Sequence, residues 1–208
     1  MIEPRNTETY ANTATLAGLA ASVLALLVPL VIGTLRPDYS QVRHYISELG
    51  ERRAPYAGWV NWAGFLPTGL LVLVFLSVIN GRLPADGKSL LLFSAVGWGY
   101  VISPLCPCDP GCPYWGSASQ LVHNLAAIVV YPATTAGLAL MAIAFRSDRH
   151  WRKWWVFTMV CSILVAVGFA AMLVPDGEPW RGLTQRVAET AIFGWIAVTG
   201  LAMKRMRR

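Results

Sequence analysis

Residues 36–50 are the first part of the chain whose side chains could support catalysis. His44 and Ser47 are three positions apart, and an imidazole in contact with a hydroxyl can activate it as a nucleophile. Arg43 is the neighbouring cation and a candidate for holding a phosphate or an oxyanion. The same pattern also fits a helix face that only contacts water.

A second stretch carries three cysteines close together. Cys106 and Cys108 are too near each other for an easy disulfide, whereas a bond from either one to Cys112 would close a small loop with more ordinary geometry. We expect such a bond to staple the loop. The alternatives are a redox-active pair and a zinc site to which His123 adds a ligand. Asp109, in the same loop, is a candidate for orienting a catalytic base.

The next apolar run begins with polar residues on one helical face. Gln120, His123 and Asn124 share this face with Ala127. Ring nitrogens and amides at membrane depth are costly unless they have partners. The face is therefore either a surface for interhelical hydrogen bonds or a ligand site. In the second case His123 is another candidate base and Asn124 contacts the substrate.

The last apolar run contains an acid, Glu189, which needs a partner at membrane depth. Arg186 is three residues earlier, so we expect an ion pair between these two side chains. The pair either fixes the end of the helix or, together with Gln185, belongs to a binding site. Asp176, in the preceding loop, is a second candidate for orienting a base.

The composition indicates what kind of element positions these residues. Of the 208 residues, 55% are hydrophobic and 13% are charged, and the mean hydropathy is +0.49. A soluble domain carries about 25% charged residues, so these values exclude a soluble globular domain, a disordered chain and a collagen. The net charge of +6 does not indicate nucleic-acid binding, because the basic residues fall between apolar runs, as in membrane proteins.

Six apolar runs, each near the roughly 20 residues that span a bilayer, predict an all-α protein. We expect an integral membrane bundle of six transmembrane helices at residues 13–35, 57–80, 88–105, 118–145, 154–175 and 186–203. A single domain covers residues 1–208, since no linker or repeat divides the chain. The first run is too long for a signal peptide and follows acidic residues, so we expect it to remain as the first helix.

A short interfacial helix is predicted in the first loop. Asp38 and Gln41 form a capping-box pattern, and Gly50 suits the end of a helix. The apolar face of this helix would consist of Tyr39, Val42, Ile46 and Leu49.

The distribution of Lys and Arg predicts the orientation. These residues are more frequent beside the termini and in the second and fourth loops than in the other three loops. By the positive-inside rule, we expect a multi-pass protein of the cytoplasmic (inner) membrane with both termini in the cytoplasm. The first, third and fifth loops, which carry the polar stretches, would then face an oxidising compartment.

Four motifs in this order resemble the family called domain of unknown function 998, a group of small prokaryotic six-helix membrane proteins. They lie at residues 39–50, 108–113, 123–127 and 182–186. That family is distantly similar to the Frag/DRAM/Sfk membrane proteins, which include factors that remodel GPI-anchor lipids. The resemblance implies a lipid-linked role and carries no settled activity.

These features favour a hydrolase or acyl-transfer enzyme for lipids of the outer leaflet. His44 or His123 would be the base, Asp109 or Asp176 would orient it, and Ser47 would be the nucleophile. The substrate would be bound by Arg43, Asn124, Gln185, Arg186 and Glu189. Membrane lipids are the expected partners. No cofactor or metal is expected, because the sequence lacks nucleotide, haem and zincin motifs, and it also lacks a Gly-x-Ser-x-Gly elbow.

Two other classes of function fit the same residues. One is a non-enzymatic protein that binds or transports a lipid or small molecule. The other is a thiol oxidoreductase that uses the loop from Cys106 to Cys112. For the lipid enzyme and for the lipid-binding protein, the polar stretches lie at one depth of a narrow bundle. We therefore expect their side chains to line one cavity. Its members would be His44, Ser47, Asp109, His123, Gln185, Arg186 and Glu189.

Overall fold

The computed structural model describes residues 4–174 and 179–205, and over these residues the chain is helical and contains no strand. The main helices are α1 (Pro4–Leu35), α2 (Ala57–Ile79), α3 (Gly87–Leu105), α4 (Ala118–Ser147), α5 (Arg152–Met172) and α6 (Arg181–Arg205). Six helices in this part of the chain are long and apolar enough to cross a membrane. The predicted six-helix bundle of a multi-pass membrane protein is therefore confirmed.

Helix α6 lies at the centre of the bundle. It packs along both α1 and α5. Its side chains Phe193 and Trp195 are fully buried and contact the rings of Tyr100 and Phe93 on α3. The pairs α1–α2, α2–α3, α3–α4 and α4–α5 complete the bundle. Polar residues on the inward face of α6 are therefore enclosed by protein.

The interfacial helix of the first loop is shorter than predicted. The regular element is a 3₁₀-helix, Ile46–Gly50, and the chain before it makes turns. Glu48 fixes the start of this element, because its carboxylate accepts the backbone N–H of Tyr45 at 2.8 Å. Tyr39 and Val42 consequently do not share a helix face with the residues of the 3₁₀-helix.

The predicted helix cap at Asp38 is wrong, because no helix follows it. Gln41, its predicted partner in the capping box, donates instead to the carbonyls of Pro29 and Leu30 in α1. Gly33 leaves the space that the Gln41 amide occupies. A contact with α1, distant in sequence, therefore replaces the local capping bond.

Three segments interlock at one end of the bundle, which we call the site end: residues 36–56, residues 106–117 and the first turns of α6. The Arg52 N–H donates to the Cys108 carbonyl at 2.9 Å, and the Leu183 N–H donates to the Val42 carbonyl at 2.9 Å. The second of these bonds satisfies one of the N–H groups that every helix start leaves unpaired. The connections α2–α3 and α4–α5 lie at the opposite end, which we call the terminal end.

Candidate functional site

A small polar cavity, which we call the chamber, lies at the site end among α2, α3, α4, α6 and the 3₁₀-helix. Its volume is ≈ 80 Å³. The polar residues that line it are Ser47, Tyr100, Ser103, His123, Tyr131, Gln185 and Glu189. Apolar side chains, among them Ile46, Phe65 and Val130, form the remaining wall. The chamber thus collects polar groups that a membrane helix does not tolerate on its lipid face.

A larger and mostly apolar cavity, which we call the groove, runs between α4 and α5 beside the cysteine loop. Its volume is ≈ 380 Å³. Its walls include the exposed side chains of Trp115, Leu125, Ile128 and Leu173. The chamber and the groove adjoin each other, because five residues, which we call the neck, line both: Ser47, His123, Ala127, Tyr131 and Gln185.

Glu189 is the buried acid of the chamber. This residue is only 6% exposed. The two carboxylate oxygens accept hydrogen bonds from the Tyr131 hydroxyl at 2.7 Å and from the Tyr100 hydroxyl at 2.9 Å. Gln185, one turn earlier, donates to the oxygen of Tyr131 at 3.3 Å. Neutral donors from α3 and α4 therefore stabilise the acid, and the predicted ion pair with Arg186 is wrong.

Arg186 turns away from the chamber because the first loop supplies two of its three acceptors. Its guanidinium donates to the carbonyl of His44 at 3.1 Å, to the carbonyl of Gly182 at 3.0 Å and to the hydroxyl oxygen of Tyr39 at 2.5 Å. Burial raises the pKa of Tyr39 while the charge of Arg186 opposes that rise, so the phenol is neutral and accepts this bond. Residues three apart on a helix differ by roughly 60° in direction, which separates Arg186 from Glu189.

His123 lies at the neck with one ring nitrogen fixed and the other available. Its Nδ1 is 3.1 Å from the carbonyl oxygen of Cys106. A carbonyl only accepts, so Nδ1 carries the proton in this bond and Nε2 carries a lone pair. In the described part of the chain Nε2 has no hydrogen-bond partner. The group that orients the ring is thus a backbone carbonyl and not Asp109, contrary to the prediction.

Ser47 reaches the neck from the 3₁₀-helix. Its Oγ is 3.4 Å from Cys112 Sγ, and among the described residues it makes no hydrogen bond to His123. Gln185 holds this element in place, because its Oε1 accepts the N–H of Ile46 at 2.6 Å. The structure therefore brings Ser47 and His123 to the same cavity without forming a serine–histidine hydrogen bond.

The cysteine loop contains a disulfide between Cys108 and Cys112, while Cys106 is a free thiol. The structure selects the second of the two pairings that the spacing allows. Because two of the three sulfurs are bonded to each other, they are not available together as thiolate zinc ligands. Over residues 4–174 and 179–205, no group of three His, Cys, Asp or Glu side chains is placed to hold a metal ion.

Asp109 organises the turn that leads into α4. Its carboxylate accepts the N–H of Ser117 at 2.7 Å and the hydroxyl of Ser117 at 2.8 Å. These bonds, together with Arg52 at 3.8 Å, hold the pKa of Asp109 below its usual value. The carboxylate does not line the chamber, so its role in this structure is to shape the loop.

Two amides of α4 hold the cysteine loop against the helix. Gln120 is fully buried, accepts the N–H of Asp109 at 2.7 Å and donates to the carbonyl of Pro113 at 2.7 Å. Asn124 donates to the carbonyls of Pro113 at 3.1 Å and Tyr114 at 2.9 Å. Asn124 borders the groove as a substrate-binding residue would, but its N–H bonds hold the loop and its Oδ1 accepts from Gln120 at 2.8 Å.

His44 and Arg43 lie outside the chamber. His44 Nδ1 accepts the N–H of Ser40 at 2.9 Å, and its ring packs on Tyr39. Arg43 is exposed. The prediction of one cavity is therefore wrong for His44, Asp109 and Arg186, whereas Ser47, His123, Gln185 and Glu189 do line the chamber. Asp176 lies outside the described residues.

The two tyrosines of the chamber are the residues that sequence reasoning misses. Tyr100 and Tyr131 lie in runs without charges, where an aromatic residue is typical of the core or the lipid face. The available signal is chemical. A tyrosine hydroxyl inside a membrane helix needs a hydrogen-bond partner, and Glu189 needs donors. The sequence therefore contains both the donors and the acceptor of these hydrogen bonds.

The chain matches a family described as protein of unknown function (DUF998) over residues 19–202. It therefore belongs to this family, as the four motifs indicate. No curated protein and no solved structure matches the chain. The family assignment carries no activity, so a function has to be argued from the chamber, the neck and the groove.

Proposed function

We propose that this DUF998 protein is a lipid-directed membrane protein that takes up a single-chain amphiphile. The apolar chain lies in the groove, and the polar end enters the chamber through the neck. The observation that carries this proposal is that the two cavities adjoin each other, since Ser47, His123 and Tyr131 line both. An apolar groove that ends in a few convergent polar groups is the usual form of a ligand site.

The sizes of the two cavities support an amphiphile with a small polar end. The groove, at ≈ 380 Å³, falls within the roughly 300–1,000 Å³ of small-molecule sites. The chamber, at ≈ 80 Å³, holds only a few atoms, because one water already needs about 10–15 Å³ by this measure. A bulky headgroup does not fit inside the chamber.

For the orientation, we propose that the site end faces the outside of the cytoplasmic membrane and that both termini are cytoplasmic. The excess of Lys and Arg near the termini supports this assignment. The Cys108–Cys112 disulfide also supports it, because disulfides persist in oxidising compartments. The amphiphile would then enter from the outer leaflet.

A filled neck is the sharpest test of this proposal. Ala127→Trp places an indole where the chamber meets the groove, whereas Ala136→Trp on the exposed face of the same helix is the matched control. Mass spectrometry of the gently extracted protein should find a single-chain lipid with the wild type and with Ala136→Trp, and at least about tenfold less with Ala127→Trp. Equal occupancy in all three folded proteins would contradict the proposal.

Hydrolysis or acyl transfer at the same site is the second candidate function. It is favoured by His123, whose Nε2 lone pair is directed by the bond between Nδ1 and the Cys106 carbonyl. In this reading His123 is the general base and takes a proton from Ser47 or from water. The test is whether the protein releases fatty acid from a monoacylglycerol. Release that is lost in both His123→Ala and Ala127→Trp, and kept in Ala136→Trp, would support this second function. No release by the wild-type protein would leave binding as the function.

A further inference from the structure

We infer that the polar end of the ligand is a protonated amine, so that the natural ligand is a long-chain ammonium lipid rather than a phosphate-bearing one. This inference rests on the proposed function, because it names the chemical class that the chamber accepts. It follows from two properties of the chamber: the hydrogen-bond capacity that remains there and the acid that lies in it.

Most hydrogen-bond donors of the chamber are already used by the protein. The hydroxyls of Tyr100 and Tyr131 both donate to Glu189. The hydroxyl of Ser103 donates to the Gly99 carbonyl at 3.0 Å. A hydroxyl has one proton, so these three groups have no donor left for a ligand.

The two remaining polar groups of α4 and α6 show the same imbalance. The Nδ1 proton of His123 is used in the bond to the Cys106 carbonyl, and Gln185 uses one of its two amide N–H groups in the bond to the oxygen of Tyr131. What remains available is acceptor capacity, from His123 Nε2 and from the unused lone pairs of Glu189 and Tyr100. The exceptions are Ser47, whose hydroxyl can donate or accept, and the second amide N–H of Gln185. A ligand group that only donates, as an ammonium does with its N–H bonds, complements such a site.

The charge of the chamber leads to the same ligand. Glu189 is an acid at membrane depth, and none of the described residues that line the chamber is a lysine or an arginine. The partly buried arginines of the site end are occupied elsewhere: Arg36 pairs with Glu51, Arg181 with Glu48, and Arg186 binds the first loop. A buried carboxylate is costly without a cation. An ammonium supplies that cation, whereas a phosphate would add a second negative charge.

Three probes with the same chain test this inference: dodecylamine, 1-dodecanol and dodecyl phosphate. Binding to the purified full-length protein in phosphatidylcholine nanodiscs is measured, with Ala127→Trp as the background for partition into lipid. We expect the amine to bind at least about tenfold more tightly than the alcohol, the gain typical of a charge-assisted hydrogen bond. Dodecyl phosphate should not compete with the amine.

The second part of the experiment replaces Glu189 by a neutral residue of similar shape. Glu189→Gln should abolish the preference for amine over alcohol, whereas Glu8→Gln, an exposed acid on α1, should keep it. Competition by dodecyl phosphate equal to that by the amine, or an unchanged preference in Glu189→Gln, would overturn the inference. If Glu189→Gln does not fold, the ranking of the three probes on the wild type decides.

The outcomes also separate this inference from the proposed function. Equal binding of amine and alcohol that is lost in Ala127→Trp would overturn the ammonium assignment and leave the lipid site standing. Failure of all three probes to bind above the Ala127→Trp background would overturn both.

Discussion

The hydrogen bonds of Glu189 can be tested at the scale of single residues. Tyr131→Phe removes one of the two donors to a buried carboxylate. We expect the free energy of unfolding to fall by about 1 kcal/mol, since hydrogen bonds inside membrane proteins average roughly 0.6 and reach about 2. Tyr114→Phe changes an exposed phenol and should be neutral within about 0.5 kcal/mol. Denaturant titration in mixed micelles measures both free energies of unfolding. An unchanged value for Tyr131→Phe would contradict the hydrogen bond from Tyr131 to Glu189.

Asp109 gives a prediction about pH. The bonds from Ser117 lower its pKa in the folded protein, so its contribution to stability is present above the pKa of an unfolded aspartate, roughly 4, and is lost as the pH falls through the folded pKa. The melting temperature of the wild type should therefore exceed that of Asp109→Asn at pH 7, and the gap should narrow below about pH 4. A gap that is constant across this range would show that the charge of Asp109 does not matter.

The candidate site could be predicted in part, because the sequence specifies how deep a residue lies in the membrane better than it specifies which way its side chain points around the helix axis. Ser47, His123 and Glu189 all lie at the predicted end of the bundle and do meet in one chamber. The expected partner of Glu189 was one turn away on the same helix, but the actual donors come from α3 and α4, which no local pattern reveals. Arg186 is a similar case, because two of its three acceptors lie in a loop more than a hundred positions earlier.

At the scale of elements, the contact between α6 and the first loop depends on a glycine. A Cβ at Gly182 would overlap the backbone of His44, whereas a Cβ at Gly194, on the same helix, would meet no atom within 4 Å. We expect Gly182→Ala to destabilise the protein by about 1–3 kcal/mol, the cost of overpacking. Gly194→Ala should be neutral or slightly stabilising, because alanine favours helices. Unfolding of the two variants in micelles measures the difference, and equal stability would contradict this close packing.

The elements themselves divide into those with a strong local signal and those without one. The membrane helices follow from long apolar runs, and their observed ends lie within a few residues of the predicted ones except where a helix continues beyond its apolar part. α1 begins at Pro4, well before residue 13, because helical structure extends into the polar N-terminal segment. The first loop is less predictable, since Gln41 bonds to α1 and Glu48 shortens the helix to Ile46–Gly50.

At the scale of the whole molecule, the two ends of the bundle differ in chemistry. The site end holds the chamber, the disulfide and four exposed tryptophans: Trp59, Trp62, Trp115 and Trp180. The terminal end holds the basic residues of the second and fourth loops, where Arg82 stacks on Tyr10 and Arg146 on Trp155. Exposed tryptophans are typical of a membrane–water interface. The chamber therefore lies nearer the leaflet at the site end.

Which leaflet this is can be decided by labelling in whole cells. In a Cys106→Ser background, Pro55→Cys places a thiol on an exposed residue of the site end, and Arg149→Cys is its matched counterpart at the terminal end. Cys161 is buried and serves as the internal reference for unlabelled thiols. We propose, from the positive-inside rule and the disulfide, that the site end faces the outside, so a membrane-impermeant maleimide should label Pro55→Cys in intact cells. Arg149→Cys should react only after the cells are opened. The reverse pattern would place the chamber on the cytoplasmic side, and the amphiphile would then have to come from the inner leaflet.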